Sequence, residues 1–275
     1  MEKFKLNNGT EIPVLGLGTY KIGRNEEDEY NVVRTAIDNG YYHIDTAALY
    51  QNEIPVGRAI RESGIPRKEI FVTTKLWGSD ILDNRIQEAF ESSLQDLGLD
   101  YIDLYLVHWP VKGKLQSTWK EMEKIYSSGK VKAIGISNHL INHMEEVLEV
   151  AEITPAVNQM ELHPYLVQKD VADFCRKHNI VPEAWSPLGS SKVPLLQDEV
   201  LIWIGGKYGK SPAQVVLRWN LQKGVVAIPK SSSKERQAEN LNIFDFELTD
   251  EEISQIDKLD KNHRTGAHPD QIQFD

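Results

Sequence analysis

Three polar side chains stand at the ends of successive apolar runs in the first part of the chain, and a tyrosine lies near the first of them. Asp45 closes the first run, Lys75 the second and His108 the third, while Tyr50 follows a few residues after Asp45. If the three runs are neighbouring parallel strands, their carboxyl ends meet at one rim. The pattern predicts that these four residues form one catalytic site.

The four residue types favour proton donation to a carbonyl oxygen. A tyrosine titrates near ~10 and therefore holds its proton at neutral pH. It is useful as an acid when a neighbouring cation, here the Lys75 ammonium, stabilises the phenolate that is left. Asp45 would keep Lys75 charged and in place, and His108 would donate to the oxygen where negative charge develops. Because the set contains no Ser or Cys nucleophile, its natural partner is a hydride donor.

Short apolar runs alternate with helical patterns along the whole chain, which predicts a parallel sheet with right-handed crossovers. The predicted strands span residues 14–17, 41–44, 70–74, 102–107, 133–136, 156–160, 181–184 and 225–228. Eight such units favour closure into a (β/α)8 TIM barrel of the α/β class, which typically needs roughly 250 residues. We therefore expect one barrel domain over residues 1–275. Active sites of such barrels lie at the carboxyl ends of the strands, where Asp45, Lys75 and His108 fall.

Local signals add detail to this barrel. Residues 4–12 read as a β-hairpin that turns at Asn8-Gly9, and we expect it to plug the other end of the barrel. The runs 211–214 and 249–252 each combine a hydroxyl residue with a Gln or Glu three positions later, which predicts a capping box at the start of a helix.

Composition excludes several classes of function. The chain is 40% hydrophobic and 26% charged, as expected of a globular protein, and its formal net charge of -10 argues against nucleic-acid or anionic-membrane partners. The start of the sequence lacks the apolar stretch of a signal peptide, and no apolar run is long enough to cross a membrane. One cysteine, Cys175, suits a reducing compartment. A cytoplasmic protein is the expectation.

Ordered motifs make the chain similar to the aldo-keto reductase family over almost its whole length. They include the Gly-Leu-Gly-Thr that ends at Thr19, the run 40–47 followed by Tyr50, and Trp109 directly after His108. The remaining motifs are Thr74-Lys75-Leu76-Trp77, Gly135-Ile136-Ser137-Asn138, Asn158-Gln159, Trp185-Ser186-Pro187-Leu188-Gly189 and Ile228-Pro229-Lys230-Ser231 with Arg236, Glu239 and Asn240. The resemblance implies reduction of aldehydes or ketones with NADPH. It also implies that Tyr50 is the proton donor, with Asp45, Lys75 and His108 around it.

A phosphate site is expected next to the last barrel strand. Lys230, Ser231 and Arg236 cluster there, where cationic and hydroxyl groups can bind a phosphate at a helix start. The adenosine 2'-phosphate is the expected ligand, so the site should prefer NADP(H) over NAD. By resemblance, Glu239 and Asn240 would touch the adenine, and Ser137, Asn138 and Gln159 would hold the nicotinamide carboxamide. The cofactor set implied as a whole is Thr19, Asp45, Ser137, Asn138, Gln159, Trp185, Ser186, Leu188, Ser190, Lys230, Ser231, Ser232, Arg236, Glu239 and Asn240.

Within that set, the resemblance implies that Trp185 stacks on the nicotinamide ring and that the loop 186–191 follows the pyrophosphate. Tyr20, Trp77, His108 and Trp109 would form an aromatic substrate mouth suited to small carbonyl compounds. Short aldehydes and dicarbonyls such as methylglyoxal, or keto-sugars, are the expected substrates. Residues 263–275 are expected to close over the mouth, and a monomer is the family-level expectation.

Two other readings stay open at this level. His43, Asp45, His108 and His163 could be ligands of a metal-dependent hydrolase barrel, since imidazole and carboxylate suit zinc. We expect no metal, because structural roles fit His43 and His163 better, with His43 facing away from the pocket. The second reading is a regulatory or structural barrel that binds NADP with little turnover. The complete set of four rim residues argues against it.

Overall fold

The computed structural model describes residues 2–274 and arranges them as a barrel of eight parallel strands surrounded by helices. A hairpin of β1 (Lys3–Lys5) and β2 (Glu11–Pro13) precedes the barrel. The barrel strands are β3 (Leu17–Gly18), β4 (His43–Asp45), β5 (Phe71–Leu76), β6 (Ile102–Val107), β7 (Val131–Ser137), β8 (Val157–Glu161), β9 (Val181–Trp185) and β10 (Val226–Ile228). They pair in chain order from β3 to β10. The predicted TIM barrel is confirmed.

The barrel closes through the residues just before β3. Leu15 forms a parallel bridge with Ala227, and the Gly16 N–H donates to the Ala227 carbonyl at 2.9 Å. The Ala227 N–H donates in turn to the Val14 carbonyl at 3.0 Å. The strand predicted at residues 14–17 is therefore split: its first residues bond to β10, and only Leu17 and Gly18 continue along β4.

Helices fill the connections between the strands. They are α1 (Glu26–Asn39), α2 (Glu53–Arg61), α3 (Gly78–Leu82), α4 (Ile86–Leu97), α5 (Leu115–Ser127), α6 (Ile141–Leu148), α7 (Lys169–Lys177), α8 (Glu199–Tyr208), α9 (Pro212–Gln222), α10 (Lys234–Leu241) and α11 (Asp250–Asp257). Both predicted capping boxes form, with Ser211 and Gln214 opening α9 and Thr249 and Glu252 opening α11. No helix between residues 2 and 274 is both long and apolar enough to cross a membrane.

The hairpin closes the amino-terminal end of the barrel, as predicted. Leu6 and Ile12 are buried and pack in one cluster with interior strand residues such as Leu104 and Val226. The turn passes through Gly9, whose φ of +90° lies in the left-handed region that favours glycine. Because this end is filled by side chains, only the carboxyl ends of the strands are left to form a site.

Candidate active site

The four predicted catalytic residues meet at the carboxyl end of the barrel. Asp45 is the last residue of β4, Lys75 lies one residue before the end of β5, and His108 directly follows β6. Tyr50 ends a single 3-10 turn, Ala48–Tyr50, that the chain makes after β4. Residues far apart in sequence thus converge because parallel strands end at one rim.

Lys75 is the centre of this group. Its Nζ donates to Asp45 Oδ1 at 2.7 Å and to the Thr46 carbonyl at 2.8 Å, and it lies 3.4 Å from the Tyr50 hydroxyl. The side chain is fully buried. Burial by itself lowers the pKa of Lys75, but the Asp45 carboxylate and Tyr50 outweigh burial, so that the net pKa is raised above 10.5. Lys75 is therefore an ammonium at neutral pH.

Tyr50 keeps its proton until a reaction draws it away. Burial raises the pKa of Tyr50 above 10, although the Lys75 ammonium opposes that shift. A phenol beside a fixed ammonium is protonated at rest, and its anion is stabilised as it forms. This is the arrangement that a general acid needs.

His108 faces Tyr50 across the site and is neutral. Its ring centroid lies 5.6 Å from that of Tyr50 and 5.3 Å from that of Trp77, with both ring pairs edge-on. Burial, assisted by Lys75, lowers the pKa of His108 well below 6.5. A neutral imidazole still carries one N–H, which can donate to an oxygen placed between the two rings.

A second buried acidic side chain, Glu183, which sequence reasoning missed, lies behind Asp45. The Gln159 Nε2 donates both to Asp45 Oδ2 at 2.7 Å and to Glu183 Oε2 at 3.0 Å. Glu183 is fully buried in the middle of β9. Burial, together with repulsion from Asp45, raises the pKa of Glu183 to about 8. The signal available in the sequence was an acidic residue inside a predicted barrel strand.

His43 also faces the barrel interior, contrary to the expectation that it faces away. Its Nε2 lies 3.2 Å from Thr73 Oγ1 and 3.6 Å from Glu183 Oε1. The reason is the strand period of two, which sends His43 and Asp45 to the same face of β4. Burial lowers the pKa of His43 to about 3, so that it is neutral beside Glu183.

Aromatic side chains line the opening above Tyr50 and His108. Tyr20 is half-exposed, and its ring centroid lies 5.0 Å from that of Tyr50. Trp109 is buried, and Trp77 stands between His108 and Phe274, whose ring centroid is 5.4 Å away. The carboxy-terminal segment thus reaches the predicted mouth through Phe274, a residue that sequence reasoning did not name.

The residues assigned to the nicotinamide carboxamide form a connected group beside Asp45. Asn138, whose φ is +62°, donates through Nδ2 to the His108 carbonyl at 2.9 Å and to Ser137 Oγ at 3.0 Å. The Trp185 Nε1 donates to Asn138 Oδ1 at 2.8 Å. The indole of Trp185 is thereby fixed at one edge while the residue stays partly exposed. A flat ring on the rim is a suitable stacking surface.

The predicted phosphate residues surround the start of α10. Lys230, Ser232 and Arg236 are exposed, and Ser231 is buried. Ser233 caps the helix by accepting a hydrogen bond from the Arg236 N–H. Exposed cations at a helix start suit a phosphate dianion.

The other predicted cofactor residues lie along the same rim. Glu239 is exposed and Asn240 is buried on α10. The loop after β9 carries Ser186 and Ser190, whose hydroxyls contact each other, and the partly buried Leu188. Thr19 follows β3, donates its N–H to the Asp45 carbonyl at 3.0 Å, and has a buried Oγ1 without a partner among residues 2–274. These residues, for which the sequence predicts cofactor contacts, offer polar groups along this rim.

The histidines considered as metal ligands are held apart by other contacts. His163 Nε2 lies 3.1 Å from Glu161 Oε1, while His43 lies beside Glu183. The described part of the chain has no group of three or more His, Cys, Asp or Glu side chains placed to hold a metal ion. The arrangement offers no support for the hydrolase reading.

Comparison with known proteins bears on the whole chain. The profile of the "Aldo/keto reductase family" matches residues 14–261. Glyoxal reductase of Bacillus subtilis is 51% identical over 98% of this chain and 97% of its own length. The 9,11-endoperoxide prostaglandin H2 reductase of Trypanosoma cruzi is 50% identical over 96% of this chain and 94% of its own. A solved aldo-keto reductase from a Medee basin deep-sea metagenome library has a TM-score of 0.95 and 44% identity, covering 98% of this chain and 100% of that one.

Proposed function

Since the chain belongs to the aldo/keto reductase family, we propose that it reduces small aldehydes, ketones or α-dicarbonyls to alcohols with NADPH. The observation that carries this proposal is the buried Lys75 ammonium, which lies 2.7 Å from Asp45 Oδ1 and 3.4 Å from the Tyr50 hydroxyl. A protonated phenol held beside a fixed cation is suited to donate a proton to a carbonyl oxygen.

Each residue of the site has a separate role in the proposed reaction. Tyr50 donates its phenolic proton to the carbonyl oxygen, and the Lys75 ammonium stabilises the phenolate that is left until solvent returns the proton. Asp45 holds Lys75 in place, and the neutral His108 donates its N–H to the same carbonyl oxygen and orients it. A nicotinamide cofactor, when bound, would supply the hydride for this reduction.

Each part of the proposed cofactor, NADPH, is assigned to a separate set of side chains. Lys230, Ser231, Ser232 and Arg236 would hold the 2'-phosphate at the start of α10, with Glu239 and Asn240 against the adenine. Thr19, Ser186, Leu188 and Ser190 would line the path of the pyrophosphate. Trp185 would stack on the nicotinamide, whose carboxamide would bond to Ser137, Asn138 and Gln159. The support for this assignment is the buried, unpartnered Thr19 Oγ1 and the exposed cations beside α10.

Small carbonyl compounds are the proposed substrates. The relatives include a glyoxal reductase and a prostaglandin H2 reductase, so relatives of similar identity act on both a small and a large molecule. The segment between β6 and α5 is short, and a short loop leaves a shallow, open mouth, which favours the small one.

The loss of NADPH absorbance tests the proposed function. We expect the purified protein to oxidise NADPH in the presence of methylglyoxal and of short aldehydes, with larger kcat/KM for these than for a steroid ketone. Tight NADPH binding without turnover of any carbonyl would contradict the proposal and favour a regulatory barrel. Chelator-sensitive hydrolysis instead of reduction would favour a metal-dependent hydrolase.

Cofactor preference follows from the cations beside α10. We expect Lys230→Ala to raise the KM for NADPH about tenfold, because one charge-assisted phosphate bond is lost, and to change the KM for NADH little. Steady-state kinetics with both cofactors measures the change. Lys258→Ala is the matched control, because Lys258 is a lysine just after α11, away from the start of α10. Equal use of NADH and NADPH by the unmodified protein would show that the phosphate assignment is wrong.

A further inference from the structure

Glu161 is a buried carboxylate that has no assigned role in the proposed reaction. It is the last residue of β8, is fully buried, and accepts hydrogen bonds at both oxygens. Oε1 accepts from the Thr265 N–H and from the Thr265 hydroxyl, both at 2.6 Å, and lies 3.1 Å from His163 Nε2. Oε2 accepts from the Gly266 N–H at 3.1 Å. One side chain thus holds two consecutive residues that lie far along the chain.

The charge of Glu161 matches this role. Burial raises the pKa of Glu161, but the hydrogen bonds from His163, Thr265 and Gly266 together lower it by more than burial raises it. The net pKa is therefore below 4.5. The side chain is therefore ionised at neutral pH, and bonds to an ionised acceptor are roughly twice as strong as neutral ones.

The segment that Glu161 holds lies against Trp185. A methyl group at Gly266 would come within 2.4 Å of Trp185 Cη2, so only a glycine allows this approach. The opposite edge of the indole donates through Nε1 to Asn138 Oδ1 at 2.8 Å. Trp185 is therefore held at two edges, by Asn138 and by the segment Thr265–Gly266.

The same segment touches the loop that follows β9. The Lys192 Nζ donates to the Thr265 carbonyl at 2.8 Å, and Lys192 comes directly after the residues assigned to the pyrophosphate. Arg264, just before the segment, donates to Gln168 Oε1 at 2.9 Å. Thr265 and Gly266 thus form a strap that joins the end of β8 to this loop across the indole.

We propose that Glu161 is a positioning residue for the cofactor: it anchors the strap Thr265–Gly266 against Trp185 and so fixes the indole on which the nicotinamide stacks. This inference rests on the proposed function, since it requires that NADPH binds at Trp185. An indole that is already oriented loses less freedom when the cofactor binds. Without the anchor, NADPH binding must also order Trp185 and the strap, and this lowers the affinity for NADPH.

Two variants test the anchor and the strap separately. Glu161→Gln keeps the size of the side chain but places an NH2 group where a carboxylate oxygen met N–H donors. Gly266→Ala keeps the Glu161 carboxylate and pushes the added methyl group into Trp185, at 2.4 Å from Cη2, while it comes no closer than 3.3 Å to Glu161 Oε2. Glu251→Gln is the matched control, because Glu251 is an exposed glutamate on α11. Circular dichroism at the assay temperature establishes that each variant is folded.

The first readout is NADPH binding measured by calorimetry. We expect each of the two variants to raise the NADPH dissociation constant about tenfold, while the control keeps the unmodified value. In steady-state assays the KM for NADPH should rise likewise, and kcat at saturating NADPH should change by less than about threefold, because the proton donor is untouched.

The second readout needs no cofactor. Amide hydrogen exchange in the protein without NADPH should be faster at Thr265 and Gly266 in Glu161→Gln than in the unmodified protein. Dissociation constants for both variants within twofold of the unmodified value would overturn this inference and leave the proposed function standing. No NADPH binding by the unmodified protein would overturn the proposed function itself, and the inference with it.

Discussion

Replacing Tyr50 by phenylalanine is expected to lower kcat for carbonyl reduction by about 10²- to 10⁴-fold, the range that a positioned general acid contributes. The Tyr50 hydroxyl lies 3.4 Å from the Lys75 Nζ and is protonated at neutral pH, and the Lys75 ammonium stabilises the phenolate that proton donation leaves. Phenylalanine keeps the ring against His108 and Tyr20 and removes the hydroxyl group that carries the proton. The dissociation constant for NADPH should therefore change little. Steady-state kinetics with methylglyoxal, together with NADPH titration, measures both quantities.

Tyr20→Phe is the matched control for this experiment. Its ring centroid lies 5.0 Å from that of Tyr50, but the residue is half-exposed, and within residues 2–274 Lys75 contacts the Tyr50 hydroxyl rather than that of Tyr20. Loss of that hydroxyl should leave most of kcat in place. If both variants lost activity equally, or if Tyr50→Phe kept more than a tenth of the unmodified kcat, the assignment of Tyr50 as proton donor would be wrong.

Glu183 is expected to make the protein less stable as the pH rises. Burial and the neighbouring Asp45 raise the pKa of Glu183 from 4.5 to about 8 in the folded protein. Between these two values the unfolded chain has released this proton while the folded protein still holds it. The folded state therefore binds more protons, and the free energy of unfolding falls with rising pH. The contribution is fully present below pH 4.5 and is lost as the pH passes through about 8.

Glu183→Gln should remove this pH dependence. Glutamine has the size of the protonated side chain, and its carbonyl can accept the bond from Gln159 Nε2. Three pH units at ~1.4 kcal/mol each predict that, from pH 5 to pH 9, the variant gains roughly 4 kcal/mol in free energy of unfolding relative to the unmodified protein. Urea unfolding followed by circular dichroism at pH 5, 7 and 9 measures this difference.

The side chains that face Glu183 include Asp45, whose own pKa is raised by burial although the Lys75 ammonium opposes that shift. Asp45, Lys75 and His43 face it from β4 and β5, and Gln159 faces it from β8. His43 is neutral throughout because burial lowers its pKa to about 3. Glu251→Gln, at an exposed position on α11, should leave the pH dependence unchanged. Parallel stability curves for Glu183→Gln and the unmodified protein would show that Glu183 is ionised at neutral pH.

Much of the fold could be predicted because its signals are local. Each apolar run of the sequence marks one barrel strand, and Ser211, Gln214, Thr249 and Glu252 mark two helix starts through contacts within three residues. The strand boundaries were less accurate. The Val14 carbonyl accepts from the Ala227 N–H and the Gly16 N–H donates to the Ala227 carbonyl, and no local pattern predicts a partner so distant in sequence.

The position of the catalytic cluster was also within reach of the sequence. Residues that end parallel strands share one rim whatever the details of packing, and this rule brings Asp45, Lys75 and His108 together. The orientation of His43 could have been predicted as well, because the strand period of two places it on the same face as Asp45. The roles of the individual cofactor residues remain predictions.

The sequence by itself determined the eight-stranded barrel, its hairpin plug and the rim that carries the proposed catalytic group. The reason is that strand periodicity, helix caps and strand ends are properties of neighbouring residues. Tertiary structure alone decided that Glu183 shares the amide of Gln159 with Asp45 and holds a proton. It also decided that Glu161 holds Thr265 and Gly266 against Trp185. The physical reason is that a buried charge is governed by its distances to groups on other strands and segments, and those distances exist only once the barrel has closed.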